Sequence, residues 1–437
     1  MKKYIQVAII FVLMICISGC GNDGQGEKSL TQTVAQKEFI DNWSEAVTHV
    51  QQVMYNTPGI EENISKEDLG KMCDTLRSDI ESQEVTDEIT AYYRLKEIVA
   101  TSKMVHMGLS FQDDKVRDGE NGLNWDIIWM EEGPVLNMLP MEYQKYVGTV
   151  LTHINSFTMQ EVLDRCAKIL TWETENGKKV FVYNFNENVL KNAGIMKEGD
   201  KELHLTVKGE TGEESFDFSL DKEISEMQSV CLSDYDDLSF TYQMRLDNLA
   251  EETNYSYRTL KEKNMLYFQY LACAETENRP FDSFFNEMMG ELEKNPDIED
   301  FVIDVRWNSG GNRFILQRNL ERYQSLLKDK KIKIILGYFT ASSACQAYED
   351  CLQKGFDVTS YGEGTQGAVH NYTEVRFEDI DEVGLVLMCP TKLDEIPELI
   401  KKYGAVSESI EPDVHVEITR EDFCNGIDTI IEKIVGK

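Results

Sequence analysis

Two loops in the last third of the chain carry residue types that suit acyl transfer. The first is Asp304-Val305-Arg306-Trp307-Asn308-Ser309-Gly310-Gly311, which follows the short apolar run 301–305. Adjacent glycines let a backbone come close to a ligand and aim N–H groups at it. A tight strand-to-helix turn would use the same residues. The second loop is Gly337-Tyr338-Phe339-Thr340-Ala341-Ser342-Ser343-Ala344. It runs into Ala344, Ala347, Tyr348, Cys351 and Leu352, an apolar stripe at helical spacing, with Gly355 placed to end the helix. A serine at that helix start lies where the dipole favours developing negative charge. It is equally a position for a hydroxyl that only caps the helix. Two further segments belong with these. Gly362-Glu363-Gly364-Thr365-Gln366-Gly367 is a glycine-rich loop after a strand-like run, and Glu411-Pro412-Asp413 stands near the end.

The elements that would position these loops alternate. The runs 301–305 and 332–336 are nearly continuous apolar strands bounded by turn residues, which suits a sheet covered on both faces. Upstream, 105–111, 125–130, 135–139, 146–155, 204–207 and 215–220 read as strands, and 159–170 reads as a helix. Residues 35–104 read as helical, with Phe39, Trp43, Ala46, Val47 and Val50 on one face and breakers at Asn56-Thr57-Pro58-Gly59.

Composition narrows the function. The chain has 437 residues, 44 basic and 78 acidic, for a net charge of −34. So acidic a surface disfavours nucleic acid and anionic lipid headgroups as partners. Ten cysteines include no C-x-x-C pair, so no structural zinc site is expected, and scattered buried thiols are the plain reading. Disulfide pairing stays open.

Lys2 and Lys3 precede an 11-residue apolar run at 7–17, too short to span a bilayer. This reads as a signal peptide. Ile17-Ser18-Gly19-Cys20 resembles the bacterial lipobox, which implies removal of residues 1–19, acylation of Cys20 and a tether over 20–34.

Taken in order, the four C-terminal segments resemble the S41 peptidases, the tail-specific or C-terminal processing proteases, and in particular their exported lipoprotein branch in Gram-positive bacteria. That family carries D-x-R-x-N-x-G-G, T-x-S, G-E-x-T-x-G and a late E-P-D. Here these fall on 304–311, 340–342, 362–367 and 411–413. Residues 146–163 are similar to the PDZ-like module of that branch, and 102–111 to the segment where the family often has D-G-H-T, which places His106 at the histidine.

The resemblance implies an α/β chain, mixed α+β overall. A ClpP/crotonase-like catalytic core would span 223–437, a PDZ-like β-rich module 105–222 and an N-terminal helical cap 35–104. It implies a serine endopeptidase with Ser342 as nucleophile, and the backbone N–H groups of Ser343 and of Gly310 or Gly311 as the oxyanion hole. No cofactor or metal is expected. The partners would be a peptide or protein substrate, including its C-terminal tail, and a bilayer reached through acylated Cys20 on the outer face of the cytoplasmic membrane.

Two departures bear on the mechanism. Ala368 stands where the tail-specific branch has its lysine base, and Cys345-Gln346 stand where a glutamate often follows the nucleophile. His106 is then the matching candidate base and His370, just past the glycine-rich loop, the second. Glu363 is a candidate to orient a histidine. His49, His153, His204 and His415 read as structural or solvated. A non-cleaving member that binds peptide tails is the alternative.

Overall fold

The computed structural model describes residues 27–113, 115, 117–220 and 229–436. The signal segment and Cys20 lie outside them. Helices come first: Glu27–Asn56, Ile60–Asn63, Lys66–Glu81 and Glu88–Ala100. The long first helix takes in residues 27–34, expected as tether, because that stretch contains neither Pro nor Gly to stop it. Among the described residues no helix is long and apolar enough to cross a membrane.

Strand β1 (Gly108–Phe111) follows, then the strands of a second region: β2 (Asp126–Met130), β3 (Gly133–Pro140), β4 (Val150–Ile154), β5 (Phe157–Thr158), β6 (Glu202–Gly209), β7 (Gly212–Ser219) and β8 (Ser229–Cys231). β2 to β8 form one sheet in the order β2-β3-β4-β6-β7, with β5 on β4 and β8 on β3. The helix Met159–Cys166 packs beside it, started by a Thr158–Glu161 capping box.

The last region supplies β9 (Tyr255–Leu260), β10 (Met265–Tyr270), β11 (Asp300–Asp304), β12 (Lys331–Leu336), β13 (Asp357–Gly362), β14 (Tyr372–Ile380), β15 (Leu385–Leu393) and β16 (Val414–His415). Its main sheet runs β16-β13-β12-β11-β10-β9. All pairs are parallel except β10 with β9. Every residue of β10 is buried, as are the last four of β11. This is the pattern of a sheet covered on both faces. The helices Phe281–Lys294, Phe314–Arg322 and Ser343–Gln353 make the crossovers.

The expected region boundaries shift in two places. β1, expected in the second region, pairs antiparallel with β15, and β8, expected in the last, pairs with β3. One apolar cluster runs through the N-terminal helices, the second sheet and the β14–β15 hairpin, so these share a core. A phenylalanine-rich cluster built on Phe268, Phe281, Phe284, Phe285 and Phe301 fills one face of the main sheet.

Candidate active site

The three motif loops leave the carboxyl ends of β11, β12 and β13, which are adjacent parallel strands. Loops from such ends converge, which is why ligand sites in open α/β sheets form there.

The first loop is turned by a buried ion network. Arg306, 4% exposed, doubles back onto Asp304 with Nε at 2.9 Å from Oδ2, and its Nη2 lies 2.8 Å from Asp428 Oδ2. Tyr267 donates to Asp304 and Thr241 to Asp428, both at 2.6 Å. Asp428 also caps the last helix, Thr429–Ile434. Desolvation works against the Arg306 charge, yet the two carboxylates hold its pKa well above the ordinary value. Next, the Asn308 side chain donates to the Tyr270 carbonyl and accepts the Gly310 N–H at 2.8 Å. Sequence reasoning offered either glycine as oxyanion donor. The Gly310 N–H is thus engaged, whereas the Gly311 N–H has no protein partner among the described residues.

The second loop is stitched to the first. Thr340 Oγ1 donates to the Val305 carbonyl at 2.8 Å and accepts the Gly337 N–H, while the Ala341 N–H reaches the Asn308 carbonyl. The third loop joins through Gly367 N–H to the Thr340 carbonyl. Ser342 stands between them at φ 52°, ψ −127°, a backbone conformation costing a non-glycine residue on the order of 1–3 kcal/mol. It holds the N-cap position of the helix Ser343–Gln353, yet its side chain does no capping. The plain capping reading therefore fails. The Ser342 hydroxyl is partly exposed and makes no hydrogen bond among the described residues. Gly310 lies against it: a Cβ there would sit 2.6 Å from Ser342 Cβ and 3.1 Å from Oγ. The Ser343 N–H also lacks a backbone partner, and the Ser343 hydroxyl donates to the Gly311 carbonyl at 2.7 Å.

The histidines separate. His106 precedes β1 in a turn, since the strand expected from residue 105 begins at Gly108. Burial lowers its pKa, its ring hydrogen-bonds the Tyr372 backbone, and its Nδ1 is buried with no partner. His370 is committed elsewhere: its Nε2 lies 3.1 Å from Glu62 of the N-terminal helices. Neither ring is hydrogen-bonded to Ser342. Glu363 orients no histidine either, being paired with Lys179 at 2.5 Å. His204 and His415 pair with the carboxylates of Asp217 and Glu417, and His49 faces Glu382.

Sequence reasoning missed Glu173. It is buried between the two segments that matter, accepting the Ala368 N–H at 2.9 Å and the Val105 N–H. Desolvation pushes its pKa up to about 8, so it is mostly protonated at neutral pH. It thereby links the neighbour of His106 to the loop behind Ser342. The Trp-Glu-Thr-Glu stretch that carries it reads as surface, and nothing in it signals the long-range contact. Two other motif residues prove structural. Asp413 accepts from the Ser360 N–H and hydroxyl and so ties the chain before β16 to β13. The Asn155 amide spans the His204 N–H and the Ile195 carbonyl, so it holds a turn. The eight described cysteines are free, six of them buried. No cluster of three or more His, Cys, Asp or Glu residues fit to hold a metal occurs among the described residues.

No protein-family model matches the sequence, and no curated protein matches it. Solved structures do. Mature CPAF superposes with a TM-score of 0.60 at 10% identity, covering 91% of this chain and 97% of that one. Its complex with lactacystin gives 0.59 at 11%, covering 91% and 98%. The fold is that of the S41-type peptidases. At these identities the likeness concerns the fold. A photosystem II D1 C-terminal processing protease is also similar, at a TM-score of 0.44 and 11% identity over 90% of this chain and 97% of that one. Within the S41-type fold, the turn carrying Ser342 and the Gly310-Gly311 loop face each other at the sheet's carboxyl edge.

Proposed function

We propose that the chain is a serine endopeptidase that hydrolyses peptide bonds by acylation of Ser342. The observation that carries this is the strained, uncapped Ser342 hydroxyl set against Gly310. The uncommitted N–H groups of Gly311 and Ser343 are nearby. Strain at a strand-to-helix turn presents a nucleophile, and two N–H donors stabilise the oxyanion of a tetrahedral intermediate, each worth about 3 kcal/mol. His106 is the base in this reading: it is neutral at physiological pH and its Nδ1 is free to accept a proton. Its bond to Ser342 forms when substrate binds, since catalytic hydrogen bonds are often long in free enzymes. The second sheet would hold an extended substrate tail as a PDZ-like module does, and acylated Cys20 would anchor the exported chain to the membrane.

Two observations favour the non-cleaving alternative: among the described residues no base is hydrogen-bonded to Ser342, and Ala368 stands at the lysine place. A fluorophosphonate probe decides between the two. Labelling of the purified chain, lost in Ser342→Ala, supports the peptidase; an unlabelled, folded chain sinks it.

A further inference from the structure

The sheet β1-β15-β14 ends on β14, whose outer edge pairs with no strand among the described residues. Residues 375–380 bond to β15 on one side, and among the described residues their backbone makes no inter-strand bond on the other. Natural sheets blunt such edges with proline, lysine or a bulge. Glu374, at φ 54° and without a partner in the register, is a bulge that ends the regular edge on one side. Beyond it, Val375-Arg376-Phe377-Glu378-Asp379-Ile380 contains neither proline nor lysine.

This part of the strand is open on its faces as well as at its edge, since the four residues from Glu374 to Phe377 are all exposed. Phe377 is 65% exposed and Val375 38%. They share a face with Met388 and Val386 of β15, both only partly buried. An apolar stripe beside an open edge is what an added strand covers.

The order of charges selects that strand. Two copies related by a two-fold axis pair antiparallel, and opposite residues must share a face, so the axis passes through a residue. An axis at Arg376 or Glu378 would set like charges opposite each other. One at Val375 runs into the bulge, and one at Asp379 off the strand's end. At Phe377 the axis sets Arg376 opposite the second copy's Glu378, and Glu378 opposite the second copy's Arg376. The two phenylalanines then face each other. Opposite charges and aromatic pairs are the favourable combinations directly across antiparallel strands. Arg376 and Glu378 already form an ion pair within one strand, so each copy presents the two charges together. The net charge of −34 opposes self-association at long range, but physiological salt screens exposed charges more than about 8 Å apart.

We propose that β14 is the interface between two copies of this chain, paired antiparallel about Phe377 into one continuous sheet. The pairing is independent of the chemistry at Ser342 and does not rest on the peptidase reading.

Sedimentation equilibrium of the purified full-length chain tests it. The mean mass should rise with loading from that of one chain towards that of two. Arg376→Glu and Glu378→Arg each set like charges across the axis, and each should weaken self-association about tenfold or more. Both side chains are partly solvent-exposed, so thermal midpoints at low loading should match the parent. Mixed in equal amounts, the two variants should associate as tightly as the parent, because an acidic strand then faces a basic one. A chain that stays single at every loading overturns the interface. Self-association that neither substitution weakens overturns it too, placing the contact elsewhere, as at the apolar run 7–17. A mixture that associates no better than its components overturns the two-fold register about Phe377.

Discussion

The Ser343 hydroxyl donates to the Gly311 carbonyl at 2.7 Å. The residue after the proposed nucleophile thus grips the loop that carries the opposing N–H. The gripped carbonyl and the Gly311 N–H belong to the two peptide groups flanking one α-carbon, so the grip lies one residue's backbone from the donor. From sequence, Ser343 contributes only its N–H; the structure gives its side chain work as well.

Ser343→Ala should therefore lower fluorophosphonate labelling by about tenfold, less than the full loss of an oxyanion donor. Ser343→Thr, which keeps a hydroxyl, should recover much of it. Stability should fall by only about 1 kcal/mol, the usual worth of one hydrogen bond. Labelling unchanged in the alanine variant would remove the positioning role.

His106 must be neutral to accept a proton, and burial lowers its pKa below the ordinary 6.5. Labelling should then rise with pH through a midpoint below 6.5 and be level by pH 7. His106→Ala should abolish the midpoint and most of the rate, while His370→Ala leaves both in place. A midpoint above 7 would speak against His106.

Glu173 is raised to about 8 in the folded chain, against about 4.3 when unfolded. Between these values the folded state holds a proton that the unfolded state has lost. The stability of the protonated pair is whole below about 4.3 and declines as pH climbs to 8. Glu173→Gln keeps an acceptor for the Ala368 N–H and removes that proton. Urea midpoints at pH 5, 7 and 8 should fall less steeply in the variant than in the parent; parallel slopes would contradict the assignment.

Arg306 is surrounded by Asp304 and Asp428 with no water-exposed escape. Arg306→Ala leaves two buried carboxylates unpaired and should cost about 3–5 kcal/mol, measured by denaturant unfolding. The loss should be far larger than for Arg376→Ala, an exposed pair of β14.

Cys20→Ala should stop incorporation of radiolabelled palmitate in a bacterial host and release the chain from the membrane fraction. Persistent labelling of that variant would exclude the lipobox reading.

The parallel strands and the loops that follow them were legible because both signals are local. Apolar runs such as 332–336 match β12 almost to the residue, and Gly355, at φ 70°, stands just past the helix end where the pattern put it. The role of Asn308 was not legible, since its partners lie on Tyr270 and Gly310, and only the first is distant in sequence. Glu173 was hidden for a stronger reason. Its burial is decided by Val105 and Ala368, segments far away on either side, and a lone glutamate between Trp172 and Thr174 carries no periodic signal. Likewise β1 was placed with its sequence neighbours, because four residues cannot announce a partner in the last hundred.

That pairing of β1 with β15 sets Leu109 opposite Leu387. During synthesis the first partner emerges long before the second exists. The N-terminal helices and the second sheet share their core with the hairpin that completes it, so neither can finish folding alone. A ribosome-bound fragment ending before Leu385, and so lacking all of β15, should therefore hold its early half incompletely packed, as contact between distant segments is slow to form. A fold that closes only when its end arrives keeps the early half open until translation is done.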